Sequence, residues 1–360
     1  MTTVGILGAG QLGRMLALAG YPLGMRFRFL DPALDSPAGL LADHLALDYS
    51  EESALEQFAH GLDMVTYEFE NVPVRATRYL EEFVPLYPPP IALEKAQDRF
   101  VEKSFFCELG IPTPTYTTNF ETGRIAEIAF PALLKTRRLG YDGKGQVVVL
   151  SETDLKAELK NGNREELILE EFISFERELS LIGVRNKAGE MRFYPLVENH
   201  HREGILRLSL ATGDASRELQ KQAEEYSSKV MSALDYVGVL TIEFFEKDGR
   251  LLANEMAPRV HNSGHWTIEG TVTSQFENHI RAVSDSPLGS TELLGVCAMV
   301  NLIGDLPDVK SILKIDGAHL HLYDKAPRLK RKIGHVTLVE QHMDVLTKKL
   351  DLVKEIVDVL

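Results

Sequence analysis

The stretch from residue 237 to residue 257, VGVLTIEFFEKDGRLLANEMA, carries the strongest indication of the fold. Its two apolar runs flank a turn candidate at residues 247–250, which favours a β-hairpin. In that hairpin Glu243 and Glu255 lie roughly opposite each other, and cross-strand neighbours have Cβ atoms about 5 Å apart. Two carboxylates at this spacing repel each other, and one or two magnesium ions can bridge them. The pattern predicts a metal site, with a structural salt bridge as the alternative.

A glycine-rich string, GYDGKGQ at residues 140–146, lies between two predicted strands, PALLKTR and VVVL. Three glycines in seven residues allow backbone N–H groups to fold over a polyphosphate. Lys135 on the preceding strand would add a positive charge. The string lacks the GxxxxGK[ST] pattern of a Walker A loop. It predicts a phosphate-binding loop of another kind, with a mobile hairpin loop as the alternative.

The first hundred residues alternate short apolar runs with helical patterns, which is typical of a parallel sheet covered by helices. Within them GAGQLG, residues 8–13, follows a predicted strand and opens a helix, and Asp31 ends the next strand. Taken alone, this pattern is a dinucleotide fingerprint, although glycines at a helix N-terminus also serve other anions. A YPPP string at residues 87–90 and a long predicted helix over about 91–109 follow, and we expect a domain boundary there.

From about residue 130 the predicted strands lengthen and their connections resemble hairpins, which indicates an α+β region. The last seventy residues combine short strands, a terminal helix at 345–360 and a basic segment, 325–332, with five cations in eight residues. We interpret them as a small closing domain. The basic segment is either a solvated loop or a receiver for a phosphate group. The predicted domains are residues 1–97, 98–288 and 289–360.

The composition argues against several classes of function. The 360 residues carry 39 Lys and Arg against 53 Asp and Glu, without long blocks of charge, so we expect no nucleic acid or anionic membrane as a partner. Cys107 and Cys297 are far apart and fit no metal spacing, which indicates reduced thiols in a cytoplasmic protein. The longest apolar run, residues 293–303, is shorter than the ~18 residues of a membrane span.

Several motifs follow one another along the chain: QDR at residues 97–99, Lys135 before GYDGKGQ, EEFI at 170–173 with Glu178, and the Glu243 and Glu255 pair. In this order they resemble the ATP-grasp superfamily over nearly the whole chain. The strings GAGQLGRM, TYEFENVP, GYDGKGQ, ANEMAPRVHNSGHWT and RKIGHV are similar to its purine-biosynthesis branch, which carboxylates 5-aminoimidazole ribonucleotide with bicarbonate. The resemblance implies an ATP-grasp fold of α/β and α+β parts, with a Rossmann-like N-terminal domain and a small C-terminal β-rich domain. It also implies ATP and magnesium as cofactors and carboxyphosphate as an intermediate.

For the nucleotide, the resemblance implies a position between two α+β subdomains. Arg99 and Lys135 would contact its phosphates, and residues 140–146 would close over it as a lid. Residues 170–173 would hold the adenine, and Glu178 the ribose hydroxyls. The implied ATP-binding residues are Arg99, Lys135, Gly140, Tyr141, Asp142, Gly143, Lys144, Gly145, Gln146, Glu170, Glu171, Phe172, Ile173, Glu178, His201, Asn254 and Glu255.

The implied magnesium ligands are Glu243 and Glu255. Many ATP-grasp enzymes carry an asparagine two residues after the second acid. Ala257 stands at that place here, and Asn254 is the nearest substitute.

The resemblance also implies which residues bind the ribonucleotide and carry the chemistry. From the residues themselves, the basic segment is predicted to hold the 5′-phosphate, because this acidic chain offers few comparable clusters of cations, and Asp142 on the predicted lid is the candidate acceptor of the amine proton. The implied catalytic residues are Tyr141, Asp142, Lys144 and Arg259. The implied substrate-binding residues are Gln11, Leu12, Glu70, Asn71, Arg259, His261, Asn262, Ser263, Lys325, Arg331 and Lys332.

Three alternatives stay open at this point. The first is another ATP-grasp ligase or transferase that acts on a different ribonucleotide or on an amino acid. The second is an NAD-dependent dehydrogenase that uses GAGQLG and Asp31, which leaves the acid pair and GYDGKGQ unexplained. The third is a nucleotide-sensing module without catalysis. For its partners the resemblance implies a homodimer and a hand-off of the product to a downstream mutase.

Overall fold

The N-terminal region is a parallel sheet with helices packed against it. The computed structural model describes residues 1–121, 125, 127–140, 143–161 and 163–357. The first strands pair in the order β3-β2-β1-β4, and these pairings are parallel, as the alternating apolar runs predict. The elements of this region are β1 (Thr3–Leu7), α1 (Gln11–Gly20), β2 (Arg26–Leu30), β3 (Asp43–Leu45), α2 (Glu52–Ala59), β4 (Met64–Tyr67) and α3 (Val74–Glu81).

Two helices, α4 (Pro90–Ala96) and α5 (Arg99–Glu108), replace the single helix predicted over about 91–109. Asp98 between them has an extended backbone, and its carboxylate accepts hydrogen bonds from the N–H groups of Phe100 and Val101. The prediction of one continuous helix is wrong because an aspartate in this position caps the start of a new helix. The break makes Arg99 the first residue of α5.

A smaller antiparallel sheet follows, with its strands in the order β5-β8-β6-β7. The glycine-rich string connects β6 to β7, and Lys135 lies opposite Gln146 at the base of this connection. Tyr141 and Asp142 lie outside the described residues. The elements are β5 (Tyr116–Thr117), β6 (Ala132–Thr136), β7 (Gln146–Val149), α6 (Glu152–Asn161) and β8 (Leu167–Glu171).

The remaining strands form one large sheet in the order β14-β13-β9-β11-β12-β15-β17-β16, with β10 also paired to β9. Both predicted hairpin turns, at residues 187–190 and 247–250, connect neighbouring strands of this sheet. The elements are β9 (Arg177–Arg185), β10 (Met191–Phe193), β11 (Val197–Arg202), β12 (Ile205–Ala211), α7 (Arg217–Ala233), β13 (Gly238–Lys247), β14 (Arg250–Ala257), α8 (Thr267–Gly270), α9 (Gln275–Val283), β15 (Val296–Ile303), α10 (Val309–Leu313), β16 (Ala318–Leu322), β17 (Lys332–Glu340) and α11 (Met343–Ile356).

The C-terminal strands extend the large sheet and do not form a sheet of their own. Strand β15 pairs with β12, so that Leu208 lies opposite Val300. Apolar side chains of β12, β15, β17 and α11 share one buried cluster, which includes Leu338 and Leu346. The region predicted to close the chain is therefore continuous with the central part through both hydrogen bonds and packing.

A buried histidine connects the N-terminal sheet to the large sheet. Nδ1 of His279, on α9, accepts a hydrogen bond of 3.1 Å from the N–H of Val239. Because that nitrogen accepts, Nε2 carries the proton and donates to the hydroxyl of Thr66, on β4, at 2.8 Å. Both side chains are fully buried, so this contact fixes the position of the N-terminal region over the rest of the chain.

Candidate active site

A cleft of about 700 Å³ is lined by residues from all three sheets and from the segments that join them. Most of the predicted site residues line it together, although they come from distant parts of the sequence. These residues are Gln11, Leu12, Glu70, Asn71, Arg99, Lys135, Gly140, Gly143, Lys144, Gln146, Phe172, Glu178, His201, Glu243, Asn254, Glu255, Arg259, His261, Asn262 and Lys332.

The acid pair lies on the β13–β14 hairpin as predicted, with Glu243 directly opposite Glu255. The register shifts immediately afterwards, because Phe244 pairs with Ala253 and leaves Asn254 as an extra residue on β14. Such a bulge lets Asn254 and Glu255 both reach the cleft, whereas regular alternation would send them to opposite faces. The side-chain oxygen of Asn254 is buried and has no hydrogen-bond partner among the described residues.

The two acids differ in their electrostatic surroundings. Burial and the neighbouring Glu255 raise the pKa of Glu243 to about 7. Burial would also raise the pKa of Glu255, but the Arg99 guanidinium at 2.8 Å outweighs it and lowers that pKa to about 2. A cation beside both acids would favour their charged forms. Two carboxylates and an unpartnered amide oxygen are the donor set that a hard divalent cation prefers, so these residues fit magnesium.

Two buried lysines share one carboxylate at the edge of the cleft. Nζ of Lys135 lies 2.8 Å and Nζ of Lys103 lies 3.3 Å from the same oxygen of Glu170. The side chain of Glu170 is buried and does not line the cleft, and the contact of residues 170–173 with the nucleotide stays a prediction. The charge of Glu170 is needed to compensate the two lysines. Lys103 was not expected from the sequence, because a lysine on a predicted amphipathic helix is normally solvated.

Other predicted residues also lie behind the lining of the cleft. Ser263 is fully buried, and its hydroxyl contacts Nδ1 of His261 at 2.8 Å. Ile173 is buried, and a carboxylate oxygen of Glu171 accepts from the N–H of Thr115 at 3.3 Å. The carbonyl of Gly145 accepts from the N–H of Thr136, closing the base of the glycine-rich connection. These residues do not line the cleft, and their direct contact with a ligand stays a prediction.

The basic segment is only partly in the cleft. Lys332 lines it, while Arg331 donates to the carbonyl of Ala326 at 3.2 Å. Nζ of Lys325 donates to the side-chain oxygen of Gln11, a cleft residue from the start of α1. Lys325 therefore borders the cleft from behind Gln11, and burial lowers its pKa to about 8.

Two predicted nucleotide contacts that line the cleft pair with each other. Nδ1 of His201 lies 2.7 Å from a carboxylate oxygen of Glu178. Burial opposes protonation of His201, but this contact raises its pKa overall. Next to them Phe175 and Phe245 stack with ring centroids 4.9 Å apart, and both line the cleft. No pattern in the sequence indicated this aromatic wall.

The N-terminal region contributes a carboxylate to the site. The guanidinium of Arg259 pairs with Glu70 across the junction between the two sheets. Burial would raise the pKa of Glu70, and the Arg259 charge outweighs burial and lowers it. The pair places the buried guanidinium of Arg259 at the cleft. Arg259 follows closely in sequence on the acid hairpin, which is the β13–β14 hairpin that carries Glu243 and Glu255.

The glycine-rich turn before α1 is occupied by a side chain of the protein itself. The N–H groups of Gly10 and Gly13 donate to the carboxylate of Glu68, which is buried. A Cβ on Gly10 would overlap a carboxylate oxygen of Glu68. Glu68 therefore occupies the helix N-terminus where a dinucleotide phosphate would bind, which argues against the dehydrogenase alternative.

A hairpin that offers two acids to a cleft, facing a smaller sheet that offers a buried lysine, is the arrangement of an ATP-grasp enzyme. The comparison with family models agrees. Residues 104–276 match the ATP-grasp domain, 1–97 the ribonucleotide synthetase preATP-grasp domain, and 297–349 the phosphoribosylaminoimidazole carboxylase C-terminal domain. The chain belongs to the N5-carboxyaminoimidazole ribonucleotide synthases, a family of ATP-grasp ligases.

Individual relatives are similar along the whole chain. The N5-carboxyaminoimidazole ribonucleotide synthase of Pseudomonas aeruginosa is 52% identical over 339 residues, which cover 93% of this chain and 94% of the relative. The crystal structure of the synthetase from Thermus thermophilus has a TM-score of 0.95 at 55% identity and 99% coverage of both chains. The Aspergillus clavatus enzyme, solved with ADP and 5-aminoimidazole ribonucleotide, has a TM-score of 0.88 at 32% identity, also with 99% coverage of both chains.

These findings confirm the predicted superfamily and fold. In the part of the chain that the structure describes, no helix combines the length and the apolar character that a bilayer crossing requires.

Proposed function

We propose that the cleft carboxylates 5-aminoimidazole ribonucleotide with bicarbonate at the expense of ATP, with the residue roles given below. The observation that carries this assignment is the position of the acid hairpin. Glu243 and Glu255 line one cleft together with Lys135, Arg99 and Arg259. Membership of the synthase family supports the same reaction.

For ATP, we assign the phosphates to the region of Arg99 and Lys135. The two lysines that share Glu170 leave one net positive charge in a buried place, which favours a polyphosphate. Magnesium would be held by Glu243 and Glu255, with Asn254 as a third donor, and would supply neutralisation of phosphate charge. Among the described residues, no group of three or more His, Cys, Asp and Glu side chains suits a metal, so the phosphates would complete its coordination.

The adenosine end of ATP is assigned to the aromatic wall and to the pair of Glu178 and His201. The stacked rings of Phe175 and Phe245 offer an apolar surface to a base. A carboxylate oxygen of Glu178 can accept hydrogen bonds from ribose hydroxyls.

In the first step, an oxygen of bicarbonate attacks the γ-phosphorus of ATP, which gives carboxyphosphate and ADP. Lys135 and Arg259 both line the cleft and can offset the charge that develops on the transferred phosphoryl oxygens. In the second step, the amine of the ribonucleotide attacks either the carboxyl carbon of carboxyphosphate, with phosphate leaving, or carbon dioxide that carboxyphosphate has released together with phosphate, and the amine loses a proton. Asp142 stays the predicted acceptor of that proton, and Tyr141 and Lys144 of the same glycine-rich string stay predicted catalytic residues.

The ribonucleotide is assigned to the end of the cleft where the N-terminal region meets the acid hairpin. Its 5′-phosphate would lie near Lys332, with Lys325 and Arg331 adding positive charge from behind the lining. The remaining predicted contacts are Gln11, Leu12, Glu70, Asn71, His261 and Asn262, all of which line the cleft. Ser263 acts only through His261 in this proposal.

The assembly and location follow from the family alone. We propose a cytoplasmic homodimer that passes its product to a downstream mutase.

The test is to measure phosphate release with ATP and bicarbonate, with and without 5-aminoimidazole ribonucleotide, together with binding of Mn²⁺ as a spectroscopic substitute for magnesium. Glu255→Gln should lose most of its turnover and its Mn²⁺ binding in the presence of ADP. Asp248→Asn removes a carboxylate from the turn of the same hairpin and should leave both measurements unchanged. Phosphate release that does not respond to the ribonucleotide would favour the ligase alternative with a different acceptor. Unchanged Mn²⁺ binding in Glu255→Gln would reject the metal assignment.

A further inference from the structure

One face of α5 contacts the backbone of β14 at the bulge described above. A carboxylate oxygen of Glu102 accepts a hydrogen bond of 2.7 Å from the N–H of Met256. At the next helix position, Nζ of Lys103 donates to the carbonyl of Asn254 at 3.2 Å. Glu102 is only 2% exposed, and the mechanism proposed above gives it no role. Helix α5 therefore binds backbone groups on both sides of Glu255.

The outward-pointing N–H groups of β14 show what the contact with Glu102 contributes. Strand β14 lies at the end of the strand order, so one of its edges has no neighbouring strand. Before the bulge, the N–H of Leu251 donates on that side to the side-chain oxygen of Gln222, and the N–H of Ala253 donates to a backbone carbonyl, each at 2.7 Å. Regular alternation would make Glu255 the next outward donor. Met256 donates instead, so the bulge shifts the outward direction by one residue.

The hydrogen bond to Glu102 exists only when β14 is bulged. In a regular strand the N–H of Met256 would turn towards β13, and one of Asn254 and Glu255 would leave the cleft. In the bulged strand that N–H points away from β13, and Met256 is buried, so without an acceptor it would be a buried unpaired donor. The neighbouring cations of α5, Arg99 and Lys103, can only donate and cannot accept in its place.

We propose that Glu102 is a positioning residue for the acid hairpin. By accepting from Met256, it holds the bulge that presents Asn254 and Glu255 to the same cleft. This role needs an oxygen at the right distance from the helix and needs no negative charge. Because Glu102 itself lines the cleft, the competing explanation is a direct contact between its carboxylate and a ligand.

Two conservative variants separate these explanations. Glu102→Gln keeps a side-chain oxygen at the same reach but cannot carry a negative charge. Glu102→Asp keeps the carboxyl group but is one methylene too short to reach the N–H of Met256. Gln222→Met is the matched control, because it removes the side-chain acceptor of Leu251 from the same edge of β14, before the bulge.

The first readout is hydrogen exchange of backbone amides in ¹⁵N-labelled protein without any ligand. We expect the amide of Met256 to exchange about tenfold faster in Glu102→Asp than in the wild type, and within about threefold of the wild type in Glu102→Gln. Gln222→Met should accelerate exchange at Leu251 and leave Met256 unchanged. If Glu102→Asp does not fold, Glu102→Met takes its place, since a thioether is a weak acceptor. An unchanged rate at Met256 in the variant that folds would overturn the proposal.

Kinetics give a second readout, which rests on the proposed function. A displaced Glu255 should lower kcat about 10- to 100-fold in Glu102→Asp and weaken Mn²⁺ binding in the presence of ADP. Glu102→Gln and Gln222→Met should keep kcat within about threefold of the wild type. A large loss of kcat in Glu102→Gln would assign the role to the charge of Glu102 and overturn the proposal, whichever other variants fold. The exchange of the Met256 amide does not depend on which reaction the cleft carries out, so failure of the proposed function would leave the first readout intact.

Discussion

Replacing Glu170 by glutamine removes the carboxylate that Lys103 and Lys135 share. Both ammonium groups lie within 3.3 Å of the same carboxylate oxygen, and neither side chain is more than 8% exposed. The neutral amide of Glu170→Gln would leave two buried positive charges close together with no negative partner between them. We expect a large loss of stability, since an uncompensated buried charge is among the costliest defects in a protein interior.

The magnitude follows from the pKa of the carboxyl group. Burial would raise the pKa of Glu170, but Lys103 and Lys135 outweigh it and lower that pKa to about 2. Compared with an ordinary value of about 4.3, this corresponds to about 3 kcal/mol. Because the pKa is lowered in the folded state, this contribution is present above about pH 4.3 and is lost as the pH falls towards 2.

The assay is urea unfolding at pH 7, where we expect Glu170→Gln to lower the free energy of unfolding by about 3 kcal/mol. Glu171→Gln is the control, because its carboxylate accepts a single long hydrogen bond and should cost less than about 1 kcal/mol. Adding Lys103→Met to Glu170→Gln removes one of the two unpaired charges and should recover part of the loss. If Lys103→Met instead destabilises that variant further, the charge-compensation argument fails.

Three further predictions concern the junctions of the fold. Gly10→Ala places a methyl group against Glu68 and should cost about 1–3 kcal/mol in urea unfolding; an unchanged midpoint would contradict the filled helix N-terminus. Asp98→Ala removes the cap of α5 together with the ion pairs that the buried carboxylate forms with Arg137 and Arg138, and it should cost about 3 kcal/mol or more by the same measurement; wild-type stability would contradict both roles of Asp98. Burial lowers the pKa of His279 to about 3, so the unfolded chain takes up a proton that the native state does not, and stability falls as the pH drops from about 6.5 towards 3. His279→Gln should be less stable at pH 7, and its free energy of unfolding should change less over this pH range than that of the wild type. Parallel pH profiles of the two proteins would count against the argument.

The sequence was informative about the hairpin for a simple reason. Asp248 and Gly249 have φ values of 51° and 68°, which suits a two-residue turn, and such a turn determines the register of the strands that it joins. The pairing of Glu243 with Glu255 could therefore be predicted from the chain alone. The bulge one residue further on could not, because a period of two places Asn254 on the opposite face and nothing local indicates the shift.

Roles that depend on burial by distant segments of the chain could not be predicted from the sequence either. Glu170 and Ser263 were expected to touch ligands because they belong to motifs, yet each contacts a side chain that faces the cleft. Lys103 and Glu68 were not expected at all, since their environments are created by segments far away in sequence. Such assignments need the tertiary structure. A motif identifies residues near the cleft, but it does not show which of their side chains line the cleft.

Because the C-terminal strands extend the large sheet, the sheet and the cleft beside it are completed late during synthesis of the chain. Asn262 forms hydrogen bonds with Asn301 on β15, and Lys332 at the start of β17 lines the cleft. A nascent chain that has emerged only as far as residue 288 would expose the hydrogen-bonding edge of β12, and its cleft would lack Lys332. The ribosome must therefore release most of the polypeptide before any copy can bind its substrates in full. Until then the bare strand is a place where two unfinished chains can associate.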